Sequence, residues 1–410
     1  MDKSMYKNFD YLRLIDNYKE YNNPFSHDFN IIFQSSPCQL LSEKMQLIPD
    51  PKHYNNRLSH SLDVCKIACL IVDYLNVIME KNHIKLINKE LIKAISFAHD
   101  IGHPPFGHTG ERSLDQIMLK SGGFESNAQT IRLMISDQFN VTFRTLISLL
   151  KHKRIIPNVR KEGTELIKGY YGYMSGDIER LLSIYQENVL EQYIIDMADT
   201  ISYVISDIKD LIVFLGKTRF IQLVNMYFTV DKLFEDSRHI FKHIGTKELL
   251  YLVTDIIKDI NENILGPLLN SIENKTKARC EQSIISKFVN NISLKVNDID
   301  PMYSELEIPI QDQLKLFLLN QITRKCFLES EFNKGIDTKI DLRINKTFEY
   351  LFSLNTDVTI LPLEQQNVQN LLSITNDTNK ARYVCDLMCQ LSENQILHLI
   401  SHLEERIILT

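Results

Sequence analysis

The sequence contains no tryptophan and few turn-forming residues, with 13 glycines and 11 prolines among 410 residues. Such a composition excludes collagen-like chains and argues against turn-rich all-β classes. The sequence also lacks the run of roughly 18 apolar residues that a membrane helix needs, and it does not open with the apolar stretch of a secretory signal. We therefore expect no membrane association and a cytoplasmic location.

Cysteine and charge set further limits. The seven cysteines are an odd number and form no CxxC motif, so neither a disulfide framework nor a four-cysteine zinc site is indicated. The pairs Cys65/Cys69 and Cys385/Cys389 are interpreted as small core residues on helix faces. With 46 Lys plus Arg against 52 Asp plus Glu, the net charge is −6, which does not favour general nucleic-acid binding.

Helical periodicity dominates the chain. Apolar residues recur at i, i+3 and i+4 over the segments 57–80, 86–100, 112–120, 128–150, 189–215, 219–234, 246–265, 312–328 and 341–353. A hairpin near 164–174 is a weak candidate, and turn-rich segments fall at 101–110, 121–127, 294–312 and 354–381. We predict a mainly α fold. It would be one large domain over 1–410, with a catalytic core at about 40–215 and a helical C-terminal part at 216–410 for packing or oligomer contacts.

Histidines are concentrated early in the chain, where five of the twelve lie between positions 60 and 108. In ISFAHDIGHPPFGHTGE an apolar helix runs into His99-Asp100, and glycine and proline then form a short, stiff loop. A lone His-Asp there would be an ordinary capped helix. Asp100, however, ends an apolar run in which an unpaired carboxylate would be costly. Three titratable residues follow in or just after the loop: His103, His108 and Glu111.

Two other segments can complete a metal site. His60 lies early in the helix predicted at 57–80, and Arg57, one turn before it, suits bidentate contact with phosphate. The polar residues of the helix at 189–215 step by three and four and so form one stripe: Asp196, Asp199, Tyr203, Asp207 and Asp210. The stripe fits a solvent-facing surface, but it is acidic without the mixed charges usual there.

Two imidazoles and two carboxylates, from His60, His99, Asp100 and a helix aspartate, would suit one divalent ion: Mn, Mg, Fe, Co, Ni or Zn. Such a site leaves open coordination positions for water and substrate. Two other histidine pairs have helical spacing but lack the adjacent glutamate of a zinc-protease motif, and they are interpreted as surface residues: His239/His243 and His398/His402.

Five segments in this order resemble the bacterial dGTPase group of HD-superfamily deoxynucleoside triphosphate (dNTP) triphosphohydrolases: NRLSHSLDV, AHDIGHPPFGHTGE, FESNAQTIRLM, LISLLKHKR and DMADTISYVISDIKD. The resemblance is strongest over 57–210 and weak over 216–380, and ARYVCDLMCQLS faintly resembles the closing helix. It implies an HD-type helical fold. It also implies water attack on the α-phosphorus of a dNTP, with dGTP as first candidate, giving a deoxynucleoside and tripolyphosphate.

The resemblance also implies residue roles. The metal ligands would be His60, His99, Asp100 and Asp199, with Asp199 preferred to Asp196 because the family's Tyr and Asp fall four and eight residues after the ligand. The residues around the α-phosphate would be His103, His108 and Glu111, and the last two would orient or deprotonate water. The substrate contacts would be Gln46, Arg57, Asn127, Gln129, Tyr203 and Asp207. Tyr203 and Asp207 would recognise the deoxyribose. The cofactor would be one divalent metal per site, with Mn or Mg the first choice in vitro.

A homo-oligomer, dimer or hexamer, is a further implication. The chain departs from the family in having no arginine over 24–44 and in carrying Thr200 where relatives often have a second Asp. The missing arginines put regulation by a second dNTP and DNA-end binding in doubt. Two alternatives stay open: an HD phosphohydrolase acting on another nucleotide phosphoester, and a non-catalytic nucleotide sensor on the same fold.

Overall fold

The structure, a computed structural model, describes residues 5–15, 22–50, 52, 54–84, 86–274, 277–355 and 363–408. Its mainly α-helical architecture confirms the predicted fold class. The helices are α1 Pro24–Phe33, α2 Ser36–Leu40, α3 Arg57–Lys81, α4 Lys89–Ala98, α5 Gly107–Ile117, α6 Ser126–Met134, α7 Phe143–Leu149, α8 Ser175–Ile184, α9 Leu190–Leu215, α10 Lys217–Tyr227, α11 Val230–Arg238, α12 Thr246–Ile260, α13 Gly266–Asn274, α14 Lys277–Asn290, α15 Ile310–Thr323, α16 Glu331–Ser353, α17 Gln365–Ser373, α18 Asp377–Cys389 and α19 Glu393–Ile408. The strands are β1 Ile155–Ile156, β2 Tyr170–Tyr171, β3 Ser293–Lys295 and β4 Glu305–Glu307.

The chain folds into two compact units. In its described parts, the first contains Met5 with the segments Asp63–Ile87 and Tyr193–Gly335, and the second contains the segments Tyr6–Leu62, Asn88–Gln192 and Ile336–Thr410. Each unit therefore draws on distant parts of the sequence. The prediction of one domain over 1–410, with a core at about 40–215, stays a prediction.

In the second unit, α4 is held by α1. Phe97 of α4 lies edge-on to Phe33, with ring centroids 5.0 Å apart, and tilted against Phe29 at 5.9 Å. Aromatic pairs in such orientations stabilise packing beyond their buried area. This packing fixes the helix whose last turn leads into His99.

A hydrophobic cluster of the second unit joins α5 to the C-terminal helices α16, α18 and α19. Leu114 and Met118 are fully buried in it together with Ile344, Leu387 and Leu399. Full burial of each such side chain contributes about 1.5–3 kcal/mol. The cluster therefore anchors α5, whose first turns carry two of the predicted catalytic residues.

In the first unit, α12 packs against α11 and α15. A π-helical turn, Asn261–Leu265, follows α12, and another, Arg324–Leu328, follows α15. Each helix and the π-helical turn that follows it account for one long predicted periodicity: α12 for 246–265 and α15 for 312–328. No helix within the described residues is both long enough and apolar enough to cross a membrane.

The structure corrects several predicted element boundaries. The helix predicted at 128–150 is two helices, α6 and α7, separated by a turn in which Asn140 has a positive φ of 38°. The periodicity at 219–234 likewise covers parts of α10 and α11. In both cases the apolar pattern continues through the break between two helices, because both helices bury apolar residues.

Two predictions about β structure were wrong: a predicted hairpin is absent, and a strand pair lies where turns were predicted. The segment 164–174 forms no hairpin; its strand β2 pairs in parallel with β1. An antiparallel pair, β3 with β4, lies at the segment 294–312 that was predicted as turn-rich. Helix α17 and the start of α18 lie in the other predicted turn region, of which residues 356–362 are outside the described part.

Candidate active site

The end of α4 presents the first predicted metal ligand, His99, in a defined tautomer. The apolar helix ends there, and the Nδ1 atom of His99 lies 2.6 Å from the carbonyl oxygen of Ser96. Because a carbonyl can only accept, this hydrogen bond puts the ring proton on Nδ1. The lone pair is then on Nε2, which is the arrangement in which imidazole binds metals.

His60, one turn into α3, lies beside His99. It is almost fully buried, and the two ring centroids are 5.5 Å apart. Histidines are seldom buried side by side as cations, because each charge would be desolvated and would repel the other. A pair of neutral imidazoles is the state that ligation requires.

Asp100 is a buried carboxylate held by a cation. Its Oδ2 accepts a 2.6 Å hydrogen bond from Nη1 of Arg57, and its Oδ1 lies 3.5 Å from Nε2 of His103. Burial alone would raise the pKa of Asp100, but the guanidinium of Arg57 holds it well below its ordinary value. Asp100 is therefore ionised at neutral pH, as a ligand must be.

His103 lies between Asp100 and the start of α6. Its Nδ1 is 3.3 Å from Oγ of Ser126. Burial, reinforced by the charge of Arg57, lowers the pKa of His103 to about 3. The imidazole is thus neutral at pH 7 and can donate one hydrogen bond while accepting another.

His108 and Glu111 form a pair on the first turns of α5. Nδ1 of His108 lies 3.1 Å from Oε2 of Glu111, and Oε1 of Glu111 accepts from the backbone amide of Ser126 at 2.8 Å. Burial would raise the pKa of Glu111, but the hydrogen bond with His108 depresses it. The His108 side chain is 72% exposed and that of Glu111 only 9%. This buried carboxylate behind an accessible imidazole is the arrangement of an oriented general base.

The loop before α5 is shaped by close backbone approach. A Cβ on Gly102 would lie 2.3 Å from the Thr130 amide nitrogen and 2.4 Å from the Ser126 carbonyl oxygen, so only glycine fits against α6. Phe106 and Gly107 both have left-handed backbones, with φ of 65° and 55°. This turn starts α5 at Gly107, inside the predicted loop 101–110, so His108 and Glu111 lie on a helix.

The start of α6 carries two residues of the predicted set, Asn127 and Gln129, directly after the cap residue Glu125. Glu125 caps the helix by accepting from the Ala128 amide at 2.7 Å, and it also accepts from Nδ2 of Asn127 at 2.6 Å. Burial, with the charge of Glu111, raises the pKa of Glu125 to about 7. Gln129 is fully buried.

The amide of Gln129 is bound within the protein at both ends. Its Nε2 donates to Oδ1 of Asp386 at 2.8 Å, and its Oε1 accepts from the hydroxyl of Tyr171 at 3.3 Å. Its predicted contact with substrate, like that of Asn127, stays a prediction.

Three residues that the sequence did not single out belong to this cluster: Lys44, Ser126 and Glu393. Lys44 is fully buried, and its Nζ donates to the carbonyl oxygens of His103 and Cys389, both at 2.7 Å. Burial lowers the pKa of Lys44 to about 8. Its neighbour Gln46 is half-buried, and Oε1 of Gln46 accepts no hydrogen bond within the described residues. In the sequence, only the position of Lys44 two residues before Gln46 could have suggested that Lys44 contacts the site.

The remaining predicted residues lie on α9. Along the acidic stripe, Asp196 is exposed, Asp199, Tyr203 and Asp207 are half-buried, and Asp210 is buried. A uniformly solvated face would not show this gradient. A cavity of about 360 Å³ in the first unit is lined by Asp196, Thr200 and Tyr203, with side chains of β4 and α15 opposite.

The structure therefore gathers the larger part of the predicted set in the second unit: Arg57, His60, His99, Asp100, His103, His108 and Glu111. The two histidine pairs set aside in the sequence are exposed, which confirms their interpretation as surface residues: His239, His243, His398 and His402.

Comparison with known proteins gives the class to which this cluster belongs. Residues 57–203 match the family model of the HD domain. They span His60, His99-Asp100 and Asp199, as well as the loop and α5. This part of the chain is therefore similar to an HD domain.

Relatives extend the likeness to most of the chain. Proteins named deoxyguanosinetriphosphate triphosphohydrolase-like protein are 29% identical in Rickettsia peacockii and 25% identical in Histophilus somni; these matches cover 92% and 94% of this chain and 91% and 96% of the relatives. One from Mesorhizobium japonicum, named deoxyguanosinetriphosphate triphosphohydrolase-like protein 2, is 24% identical over 92% of this chain and 91% of its own. The resemblance predicted from the motifs is confirmed, and it indicates a phosphohydrolase family of the dNTP triphosphohydrolase type.

Proposed function

We propose that this protein is a metal-dependent dNTP triphosphohydrolase. It would hydrolyse dGTP, with other dNTPs as further candidates, at the α-phosphorus to a deoxynucleoside and tripolyphosphate. The observation that carries the proposal is the cluster in which the buried Asp100 is paired with Arg57, while the exposed His108 is oriented by the buried Glu111. Such a cluster combines ligand, phosphate-binding and acid–base groups. The names of the relatives add the substrate class.

The metal would be bound by His60, His99, Asp100 and Asp199. His60 and His99 lie side by side, with ring centroids 5.5 Å apart, so both imidazoles could bind one ion. The Nδ1 hydrogen bond of His99 and the depressed pKa of Asp100 fit such a role, because both prepare the ligand in its binding form. The mixed imidazole and carboxylate donors suit Mn²⁺ or Mg²⁺ in vitro, with Fe, Co, Ni and Zn as other candidates. When bound, the ion would polarise the phosphate and help to generate the nucleophile.

The protein side chains would accept the proton, bind the phosphate and stabilise the developing charge. His108, oriented by Glu111, would accept the proton of the attacking water, and the ionised Glu111 would stabilise the imidazolium that results. Arg57 would contact a phosphate oxygen from the side of Asp100. Neutral His103 would donate a hydrogen bond to the phosphate as charge develops.

The deoxyribose would be read by α9. Tyr203 would stack against the sugar and leave no room for a 2′-hydroxyl, while Asp207 would accept from the 3′-hydroxyl. The half-buried state of both side chains supports this role, because a contact group must be partly desolvated yet reachable. Gln46, with its unpartnered buried oxygen, would supply a further substrate contact.

The test is tripolyphosphate release from each of the four dNTPs and from GTP, with Mn²⁺ or Mg²⁺. Wild type is compared with Asp100→Ala, and with His398→Ala as a control for replacement of a surface residue. We expect release from dNTPs but not GTP, lost in Asp100→Ala and kept in His398→Ala. Release of orthophosphate from a monophosphate would instead support another phosphoesterase. Nucleotide binding without turnover, also with mixed dNTPs, would support a sensor.

The cellular setting forms part of the same proposal. We propose a homo-oligomer, dimer or hexamer, acting in the cytoplasm. The resemblance to the dNTP triphosphohydrolases supports the homo-oligomer. All seven cysteines are free thiols, which agrees with a cytoplasmic location. Size-exclusion chromatography with light scattering would give the oligomer size.

A further inference from the structure

We propose that Glu393, at the start of α19, is a positioning residue that holds two segments of the candidate active site in fixed positions relative to each other. Its Oε1 accepts hydrogen bonds from two backbone amides far apart in sequence, Met45 at 3.0 Å and Phe106 at 2.9 Å. We call these two hydrogen bonds the Glu393 clamp. The role in catalysis rests on the proposed function, whereas the clamp itself can be tested without turnover.

The two clamped amides lie next to the proposed chemistry. Met45 directly precedes Gln46, the proposed substrate contact. Phe106 is the first residue of the left-handed turn into α5, the helix that presents His108 and Glu111. One carboxylate oxygen therefore fixes the substrate-side segment and the acid–base segment relative to each other.

Phe106 is the position at which such a contact matters most. A non-glycine residue with φ of 65° is in a sparsely populated region, and such conformations persist only where the surroundings impose them. The Phe106 ring is buried in the cluster with α16, α18 and α19, and its amide is held by Glu393. Without the clamp, the turn can relax and change the direction of the first turn of α5.

Glu393 is itself held in place. It is almost fully buried, and it opens α19 just after Ser392. The Ser392 amide donates to Oε1 of Gln395 at 2.7 Å, and the Gln395 amide donates to Oγ of Ser392 at 3.3 Å. This reciprocal capping box defines where α19 begins and therefore where the Glu393 carboxylate lies.

A second link joins the same parts of the unit. Lys44, next to Met45, donates from one Nζ to the carbonyl oxygens of His103 and Cys389. The end of α18 is thereby tied to the loop before α5, just as the start of α19 is. The C-terminal helices, whose sequence resemblance to the family is faint, thus supply contacts on which the geometry of the active site depends.

The test compares Glu393→Ala with Glu393→Gln, which keeps an acceptor oxygen, and with Glu404→Ala. Glu404 is an exposed residue of the same helix, paired with Lys346 at 3.0 Å, and serves as the control. On the full chain, kcat and KM for tripolyphosphate release, Mn²⁺ affinity by calorimetry, and amide hydrogen exchange are measured. Exchange is followed in peptides covering residues 44–46 and 103–111.

We expect Glu393→Ala to lower kcat about 10- to 100-fold, since displacing a catalytic group by about 1 Å can cost that much. Exchange should rise in both peptides while Mn²⁺ affinity is unchanged. Glu393→Gln and Glu404→Ala should behave as wild type. If the alanine variant does not fold, Glu393→Asp, which withdraws the carboxylate by one methylene, should give the same pattern in weaker form.

Faster exchange without loss of kcat would overturn the positioning role, as would a folded Glu393→Gln that is as impaired as Glu393→Ala. Unchanged exchange in both peptides would overturn the clamp. An inactive wild type whose exchange still responds to Glu393→Ala would overturn the proposed function and the role of Glu393 in it, and leave the clamp as a structural contact.

Discussion

Nη1 of Arg57, at the start of α3, lies 2.6 Å from Oδ2 of Asp100, just past the end of α4. Both side chains are largely buried, so each depends on the other for a compensating charge. The ion pair stands beside the imidazoles of His60 and His99. It therefore joins the start of α3, which carries His60, to the end of α4, which leads into His99, and it keeps Asp100 ionised.

Replacing Arg57 by alanine should strongly destabilise the protein. The change leaves the Asp100 carboxylate buried without its cation, a loss that typically costs about 3–5 kcal/mol. It should also raise the pKa of Asp100, which Arg57 now lowers. The free energy of unfolding, measured by urea denaturation, tests the first expectation.

Arg112→Ala is the matched control. Arg112 lies on α5, its side chain is 56% exposed, and its ion pair with Asp337 is longer, at 3.4 Å. Removing such a surface pair should change the free energy of unfolding by less than about 1 kcal/mol. Equal losses in the two variants would mean that the Arg57–Asp100 pair has no special energetic role.

His108→Ala and Glu111→Gln should lower kcat with a smaller effect on KM. His108 is proposed as the proton acceptor and Glu111 as the group that orients it, and general acid–base catalysis contributes about 10²–10⁴-fold. Because the two act as a unit, the double variant should be little worse than His108→Ala alone. Initial rates of tripolyphosphate release over a range of dGTP concentrations give both constants.

His239→Ala, which removes an exposed imidazole on the other unit, is the control for that experiment. It should leave both constants unchanged. If losing His108 raised KM alone, His108 would be a substrate-binding group, and the proton acceptor would have to be sought elsewhere.

Gly102→Ala should destabilise the protein and displace the loop before α5. The added methyl group would overlap backbone atoms of α6, which cannot move aside as a side chain can. The expected loss in the free energy of unfolding is about 3 kcal/mol, the upper end for overpacking. Gly176→Ala in α8 is the control, because a Cβ added at Gly176 would have no other atom within 4 Å. Alanine at this helix position should raise the free energy of unfolding by about 0.5–1 kcal/mol. Equal stability of the two variants would contradict the packing argument.

The sequence indicated candidate site residues more directly than it indicated the contacts that hold them in place. His60, His99 and Asp100 could be singled out as candidate ligands because their residue types are those that ligation demands. The long helices α3 and α9 were predicted almost to the residue, since each carries an uninterrupted apolar periodicity. Residue type and local period are both readable from one sequence.

Contacts between segments that are far apart in the sequence could not be predicted from residue type or local periodicity. Glu393 lies 287 residues from Phe106, and nothing in its local sequence distinguishes it from a surface glutamate. Lys44 likewise acts through two backbone carbonyls, which carry no sequence signal. The early start of α5 depends on the left-handed backbone of Phe106, a conformation that propensity assigns to glycine or asparagine.

The raised pKa of Glu125 predicts a specific dependence of stability on pH. Burial and the charge of Glu111 raise that pKa from 4.5 to about 7, so the folded protein binds a proton more tightly than the unfolded chain. The resulting stability is fully present below about pH 4.5 and is lost as pH rises to about 7. The shift corresponds to about 3 kcal/mol at most. Glu125→Gln, which cannot ionise, should show a correspondingly smaller fall in the free energy of unfolding between pH 5 and pH 8. Parallel pH profiles for wild type and variant, measured by urea denaturation, would show that Glu125 stays ionised in the folded protein.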